Sequence, residues 1–166
     1  ERAQPQAGEA VRVAPALMHG SVVHIGGLWG VLGSGMAARP IVLMEKFNVP
    51  EWRAAVIEHR PLASGAPPAA LRMILDANIP KEDLSSLMTL GAGTAPVDPA
   101  IVDEFLARYN LPVLTNYGAT EFAGGVASWS LRSFREYWTT KRGAVGRVHR
   151  SMEARVVNPE TGEPLP

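Results

Sequence analysis

Cysteine is absent from this chain of 166 residues, which excludes disulfide bonds and thiolate metal sites. An excess of one charge is also missing, because sixteen basic residues balance sixteen acidic ones. The chain therefore lacks the basic footprint of a nucleic-acid-binding domain, and we expect no nucleic-acid partner. The Gly-x-Ser-x-Gly, Walker and Gly-x-Gly-x-x-Gly motifs do not occur. Their absence weakens hydrolase, P-loop and dinucleotide-binding hypotheses.

A signal peptide is not visible at the start of the sequence. Residues Glu1 to Ala10 are polar, without a basic start before an apolar core. We therefore expect a cytoplasmic protein. The hydrophobic share of 46% and the charged share of 19% are typical of a globular chain with a substantial core. The length fits one domain or a large part of one.

One long stretch, Val13 to Ala38, contains no charged residue and is long enough to span a bilayer. It also holds a Gly-x-x-x-Gly pair at Gly26 and Gly30, which is common where membrane helices pair. Against a membrane span stand a proline, two histidines, two serines and six glycines in the same stretch. We expect no membrane span but a glycine-rich helix, over 26–37, packed inside an α/β domain.

Short apolar runs alternate four times with segments of helical pattern. The runs of strand length are 11–17, 41–44, 62–64, 87–90 and 112–115. Asn48 and Asp98 each precede a proline in the position of a helix N-cap. This alternation predicts an α/β fold with a mostly parallel sheet flanked by helices.

The pattern changes after Gly143. Segments 146–150 and 153–157 have the pattern of short strands, and 158–162 that of a turn. The predicted fold thus ends in short antiparallel strands. We predict one α/β subdomain over 1–142 and the start of a β-rich subdomain over 143–166.

The most informative segment is Thr115-Asn-Tyr-Gly-Ala-Thr-Glu121, directly after the run 111–114. In open α/β sheets, ligands bind at the carboxyl ends of strands. Tyr117 offers a stacking face, Gly118 allows close approach of the backbone, and Thr120 can hydrogen-bond a phosphate oxygen. Glu121 can hold Mg²⁺ directly or through water. The segment predicts a nucleotide, phosphate and metal site; the alternative is a plain turn with a solvated Glu121.

A second glycine-bearing loop, Gly91-Ala-Gly-Thr-Ala-Pro96, also follows a predicted strand. Two such loops at adjacent strand ends would frame one crevice, although a tight turn before a helix uses glycine equally well. His19 and His24 lie near one apolar segment. Their five-residue spacing is unsuited to a shared helical metal site, so we expect no metal pair there.

Several of these segments resemble, in the same order, motifs of the adenylate-forming acid–CoA ligases. That family includes acyl-CoA synthetases, 4-coumarate–CoA ligase and luciferase. His24-Ile-Gly-Gly-Leu-Trp29 resembles its Phe-His-x-x-Gly segment, and Leu17-Met-His19-Gly is a competing alignment. The other matches are 84–96 with the Gly-Gly-Ala-Pro loop and its strand, 116–121 with Tyr-Gly-x-Thr-Glu, 143–146 with Gly-x-Val-Gly and 158–163 with the hairpin after it.

The resemblance implies a role for each matched residue. It makes Thr120 a phosphate contact and Glu121 the Mg²⁺ support, the two catalytic candidates. It makes Tyr117 the partner of adenine, flanked by Gly91, Ala92, Gly93, Asn116 and Gly118. The acyl side would involve His24 or His19, together with Thr94 and Ala119. The last two depart from the family's usual residues and leave the size of the acid open.

The implied reaction joins a carboxylic acid to ATP as an acyl-adenylate, with Mg²⁺, and then transfers the acyl group to CoA. The resemblance covers nearly the whole chain but only the middle part of the family's large N-terminal domain. We therefore expect a fragment whose remaining N-terminal and C-terminal parts carry the phosphate loop and the catalytic lysine, and which is inactive alone. The rival hypothesis is a non-catalytic nucleotide-binding or interaction module of α/β type.

Overall fold

The computed structural model describes residues 13–165. Their strands form one sheet and their helices flank it. The strands are β1 (Ala16–Met18), β2 (Ile41–Leu43), β3 (Ala63–Gly65), β4 (Thr89–Ala92), β5 (Val113–Ala119), β6 (Gly124–Ser128) and β7 (Arg147–Val148). The helices are α1 (Ile25–Met36), α2 (Val49–His59), α3 (Pro68–Asp76), α4 (Pro99–Tyr109) and α5 (Leu131–Tyr137). Short 3-10 turns lie at Lys81–Leu84 and Thr120–Phe122.

The sheet has the strand order β2-β1-β3-β4-β5-β6-β7. The strands from β2 to β5 pair in parallel, whereas β6 pairs antiparallel with β5 and with β7. The carboxyl ends of β1, β3, β4 and β5 therefore lie along the same edge. The prediction of a mostly parallel sheet that ends in short antiparallel strands is confirmed. The proposed boundary between 1–142 and 143–166 stays a prediction.

Local signals in the sequence start two of the helices. The side chain of Asn48 accepts a hydrogen bond from the Glu51 amide at 2.9 Å, and that of Asp98 accepts one from the Ala100 amide at 2.8 Å. Each bond satisfies one of the amides that a helix start leaves without an intrahelical partner. Both predicted N-caps are therefore confirmed. Asn110 ends α4 in the left-handed conformation at φ 54°, a conformation that asparagine tolerates.

The hydrophobic core lies between the middle of the sheet and α2, α3 and α4. Trp52, Phe105 and Leu90 have no exposed surface. The indole nitrogen of Trp52 donates to the buried hydroxyl of Ser64 at 3.0 Å. The polar end of the tryptophan is thus satisfied inside the core. This core fixes the parallel strands whose ends carry the candidate site.

Helix α1 has the predicted position but not the predicted packing. Among its residues only Ser34 is buried, and Met36 is 85% exposed. Leu28, Trp29 and Leu32 also expose large apolar surfaces. The expectation of a helix packed inside the domain is therefore wrong for this chain by itself. No helix within residues 13–165 is both long and apolar enough to cross a membrane.

Other differences lie toward the C-terminus. Strand β5 does not end near Thr115 but continues to Ala119, because β6 supplies an antiparallel partner for the extra residues. The sequence analysis did not predict β6 or α5. The expected strand at 153–157 is wrong, since only Val157 pairs there, in a single bridge with Pro164. The turn at 158–162 is confirmed by the Gly162 amide, which donates to the Asn158 carbonyl at 2.8 Å. The predicted strand at 11–17 lies partly outside the described residues, and β1 forms its last part.

Candidate functional site

The two glycine-bearing motifs meet at the carboxyl ends of neighbouring strands. Ala92, the last residue of β4, pairs with Thr115 of β5. The next residue of β5, Asn116, donates from its side-chain amide to the Ala92 carbonyl at 3.1 Å. Its side chain also lies so close to Gly93 that a Cβ at Gly93 would be 2.6 Å from Asn116 Oδ1. A side chain at position 93 would therefore displace the Asn116 side chain from its present position.

A cavity of about 290 Å³ opens beside this junction. It is lined by the loop after β4, by β5, by Val102 of α4, by Trp138 directly after α5 and by the turn before β7, with Thr94, Asn116, Tyr117, Gly118 and Ala144 among its lining residues. Its size is at the lower end of the range for small-molecule pockets, about 300–1,000 Å³. Of the predicted site residues, the structure brings Thr94, Asn116, Tyr117 and Gly118 to this one cavity.

The turn at 143–146 forms one wall of the cavity through hydrogen bonds to its backbone. The carbonyl of Ala144 accepts from the indole nitrogen of Trp129 at 2.8 Å and from the hydroxyl of Thr115 at 3.4 Å. Gly146 follows in the left-handed region at φ 106°. A side chain there would overlap the backbone of Ser128, so only glycine fits. The turn at 143–146 is therefore held against β5 by Thr115 and against the end of β6 by Trp129.

A tryptophan and an arginine link α4 to this wall. Asp103 on α4 accepts from the indole nitrogen of Trp138 at 2.8 Å and from Arg142 Nε at 2.7 Å. Burial raises the pKa of Asp103, but the hydrogen bonds from Trp138 and Arg142 and the Arg142 charge outweigh it and hold the pKa below its usual value. Trp129, Trp138 and Asp103 were not predicted as site residues from the sequence. The cluster of tryptophans in 129–138 was the available signal.

Thr120 and Glu121 lie beyond the cavity lining, in the 3-10 turn that follows β5. Both side chains are exposed, and Ala119 before them is half-buried. The chain then turns back through Ala123 at φ 55° and Gly124 at φ 144° into β6. The hydroxyl and the carboxylate are thus presented to solvent at the same edge of the sheet.

The two candidate histidines occupy different places. His19 follows β1 directly, and its Nε2 donates to the carbonyl of Gly65, the last residue of β3, at 2.8 Å. Its ring lies edge-on to Phe47, with ring centroids 5.1 Å apart. His24 is the N-cap residue of α1, has an exposed side chain and makes no capping hydrogen bond. Only His19 therefore lies in the row of strand ends.

Glu121 is the single carboxylate predicted as a metal ligand. Within residues 13–165, no cluster of three or more histidine or acidic side chains could hold a metal ion. Glu121 is exposed and forms no ion pair in the described part of the chain. Mg²⁺ in nucleotide sites is commonly held by one or two carboxylates plus phosphate oxygens and water. A single carboxylate fits that arrangement and does not fit an all-protein metal cage.

Comparison with known proteins finds CoA ligases among the relatives of this chain. A probable CoA ligase of Humulus lupulus is 36% identical over 154 residues, which cover 86% of this chain and 26% of that protein. A 4-coumarate–CoA ligase of Glycine max is 36% identical over 132 residues, covering 78% of this chain and 45% of that protein. The chain thus spans between about a quarter and a half of the length of these relatives.

Solved structures show the same fold. The o-succinylbenzoate CoA synthetase of Bacillus subtilis, in complex with ATP and a magnesium ion, matches 96% of this chain and 32% of its own, with a TM-score of 0.78 and 21% identity. A luciferase-like enzyme of the mealworm Zophobas morio matches 92% of this chain and 37% of its own, with a TM-score of 0.81 and 19% identity. The family model of AMP-binding enzymes matches residues 7–166. The chain therefore belongs to the AMP-binding enzyme family.

Proposed function

We propose that the longer protein of which this chain is a part is an AMP-forming acid–CoA ligase. It would join a carboxylic acid to ATP as an acyl-adenylate and then transfer the acyl group to CoA. The observation that carries the proposal is the cavity between the ends of β4 and β5, with an exposed Thr120-Glu121 pair at the same edge. CoA ligases among the relatives and an ATP-bound structural neighbour support it.

The nucleotide base would lie against Tyr117 and the end of β4. The side chain of Tyr117 is 53% exposed, and it lines the cavity. Its ring provides a flat apolar face for stacking. The side-chain amide of Asn116 donates to the Ala92 carbonyl, and its Oδ1 can accept a hydrogen bond from an exocyclic amine of the base. Gly91 has open space where a Cβ would be, so the base could approach the backbone there, whereas Asn116 fills that space at Gly93 and the backbone of β6 fills it at Gly118.

The phosphates would lie toward Thr120 and Glu121. A carboxylate next to a triphosphate is repelled unless a cation stands between them. The exposed Glu121 therefore fits a magnesium ion shared with phosphate oxygens. When bound, that ion neutralises part of the phosphate charge. The hydroxyl of Thr120 can donate a hydrogen bond to a phosphate oxygen, and it holds the nucleotide in register with Tyr117.

The first half-reaction forms one bond and breaks one. An oxygen of the acid's carboxylate attacks the α-phosphorus of ATP, and the bond from that phosphorus to the pyrophosphate oxygen breaks. Near neutral pH the acid is already ionised, so no general base is required. In the second half-reaction the thiolate of CoA attacks the acyl carbonyl, and AMP leaves with the bonding electrons. The residues of this chain contribute by positioning and charge stabilisation.

The acid would bind on the side of Thr94, Ala119 and a histidine. The geometry supports His19 more than His24, because His19 lies at the end of β1 and is fixed by Gly65. Since a carbonyl only accepts hydrogen bonds, Nε2 of His19 carries a proton, and the ring is held as a wall of the acyl pocket. His19→Ala should then change the preferred acid or raise its KM, while His24→Ala leaves both unchanged. The opposite result would return the role to His24.

Replacing Glu121 by Gln in the longer protein tests the proposal. Glutamine keeps the shape and removes the charge, so adenylation should fall by roughly 10²–10³, as for the loss of one electrostatic contact in a transition state. ATP–pyrophosphate exchange measures that rate, and thermal unfolding should stay nearly unchanged because the side chain is exposed. Exchange within a few fold of the original at saturating Mg²⁺ would reduce Glu121 to a turn residue.

The remaining parts of the longer chain are proposed as partners of this one. The 166 residues span only about a quarter of one relative, so we expect the isolated chain to give no ATP–pyrophosphate exchange above background. Exchange stimulated by an added acid would contradict this expectation. The cytoplasmic location stays a prediction of the same kind.

A further inference from the structure

The turn that carries Thr120 and Glu121 has little support from its own residues. None of the three residues of the 3-10 turn is buried, and Ala123 after it is exposed as well. Inside the turn, the Ala123 amide donates to the Thr120 carbonyl at 3.0 Å. An exposed turn without buried side chains opens easily. The Phe122 ring lies near that of Tyr117, with ring centroids 6.2 Å apart, and a further contact from elsewhere in the fold would help to hold the hydroxyl and the carboxylate in one place.

Trp29 on α1 supplies such a contact. Its indole nitrogen donates to the carbonyl of Ala123 at 3.3 Å, across 94 positions of sequence. Within residues 13–165, this is the one side-chain hydrogen bond made to residues 120–123. The indole is 51% exposed. Burial of the ring therefore does not by itself explain its position.

The surroundings of the indole are shaped for this contact. Gly124 adopts φ 144°, and a Cβ there would lie 3.1 Å from Trp29 Nε1. On the other side, α1 lies close to β1, since a Cβ at Gly30 would be 3.0 Å from the end of the Met18 side chain. Helix α1 thus contacts both β1 and β6, which the sheet separates by three strands. The position of the turn is thereby tied to the first strand.

We propose that Trp29 is a positioning residue, whose indole N–H holds the Ala123 carbonyl and thereby fixes the Thr120–Phe122 turn for adenylation. The inference rests on the ligase function proposed above. Trp29 touches neither nucleotide nor acid in this role; it acts through the turn. Its loss should therefore weaken the same contribution that Glu121 makes, and should have little effect once Glu121 has lost its charge.

The first experiment needs no activity. Amide hydrogen exchange is measured over residues 119–125 of the longer protein, as the original, as Trp29→Phe and as Met36→Ala. Phenylalanine keeps an aromatic ring and removes the donor, so exchange in this segment should become several-fold faster. Met36→Ala removes a more exposed apolar side chain from the same helix and should leave exchange in this segment unchanged. Equal exchange in all three proteins overturns the proposal.

The second experiment is a double-mutant cycle in ATP–pyrophosphate exchange. Trp29→Phe alone should lower the rate roughly two- to tenfold, the range for one hydrogen bond. In the Glu121→Gln background the same change should have almost no effect, because both residues act through one turn. Equal effects in both backgrounds mean a general structural role and overturn the proposal, even if amide exchange had changed.

The two proposals fail in different ways. If the original protein adenylates no acid, the ligase function is wrong and the positioning role of Trp29 in adenylation is wrong with it, whatever the amide exchange shows. If the original is active and the cycle is additive, the ligase function stands and only the role of Trp29 is wrong. Faster exchange together with a non-additive cycle supports the proposal.

Discussion

Gly118 occupies a position of the candidate site where the backbone leaves no space for a side chain. It lies in β5, where the pairing with β6 shifts register between Tyr117 and Gly118. A Cβ at this position would overlap the Gly124 carbonyl and lie 2.7 Å from Gly125 Cα, whereas ordinary contact begins near 3.4 Å. Both neighbours are backbone atoms, which cannot rotate away. Gly118→Ala must therefore push β5 and β6 apart.

The expected cost follows from two opposing terms. Overpacking of this kind costs about 1–3 kcal/mol. The loss of glycine's freedom in the unfolded chain returns about 0.4–1 kcal/mol. We expect Gly118→Ala to lower the free energy of unfolding by about 1–1.5 kcal/mol, a sizeable share of the 5–15 kcal/mol typical of a domain. The melting temperature should fall by roughly 2–6 °C for a chain of this size.

Gly91 provides the matched control. It also lies in a strand of the candidate site, but a Cβ there would meet nothing within 4 Å. Gly91→Ala should therefore leave stability unchanged or raise it by up to about 1 kcal/mol. Urea unfolding followed by tryptophan fluorescence compares both variants with the original chain. If Gly118→Ala is as stable as Gly91→Ala, the close approach of β5 and β6 described here is wrong.

Two further predictions concern the pH dependence of stability and the exposed apolar surface of the chain. Asp103→Asn should destabilise the chain by about 1 kcal/mol at pH 7, a modest value because the carboxylate is 43% exposed. The pKa of Asp103 is lowered on folding. The contribution of its carboxylate to stability is therefore present above the unfolded pKa of about 4 and is lost as the pH falls through the folded pKa. Denaturation of both proteins at pH 7 and pH 3 measures the difference, and an equal effect of Asp103→Asn at both pH values would contradict the prediction. Met36→Lys with Leu43→Lys, at positions 85% and 73% exposed, should reduce dye binding and self-association of the isolated chain, since β2 is an edge strand. The free energy of unfolding should change by less than about 0.5 kcal/mol for each substitution. Undiminished self-association would mean that another surface is responsible for it.

The sequence by itself determined the features that depend on neighbours along the chain. Asn48 and Asp98 cap their helices because each cap needs only a hydrogen bond between the side chain and a backbone amide two or three residues later. The parallel strands follow from apolar runs of strand length between helical segments. The two glycine-bearing motifs were also visible, and the resemblance to the acid–CoA ligases placed both in one site.

The tertiary structure decided what depends on distant partners. The motif at 116–119 continues β5 as a strand, because β6 pairs with it from the other side. Hydrogen bonds from Thr115 and Trp129 to the Ala144 carbonyl hold the cavity wall, and no periodicity of the sequence encodes them. An apolar helix such as α1 has the same pattern whether or not another surface covers it, so its exposure could not be read from the sequence. Helix caps depend on residues a few positions apart in sequence, so the sequence predicts them. The wall of the site depends on contacts between residues that are far apart in sequence, so only the tertiary structure determines it.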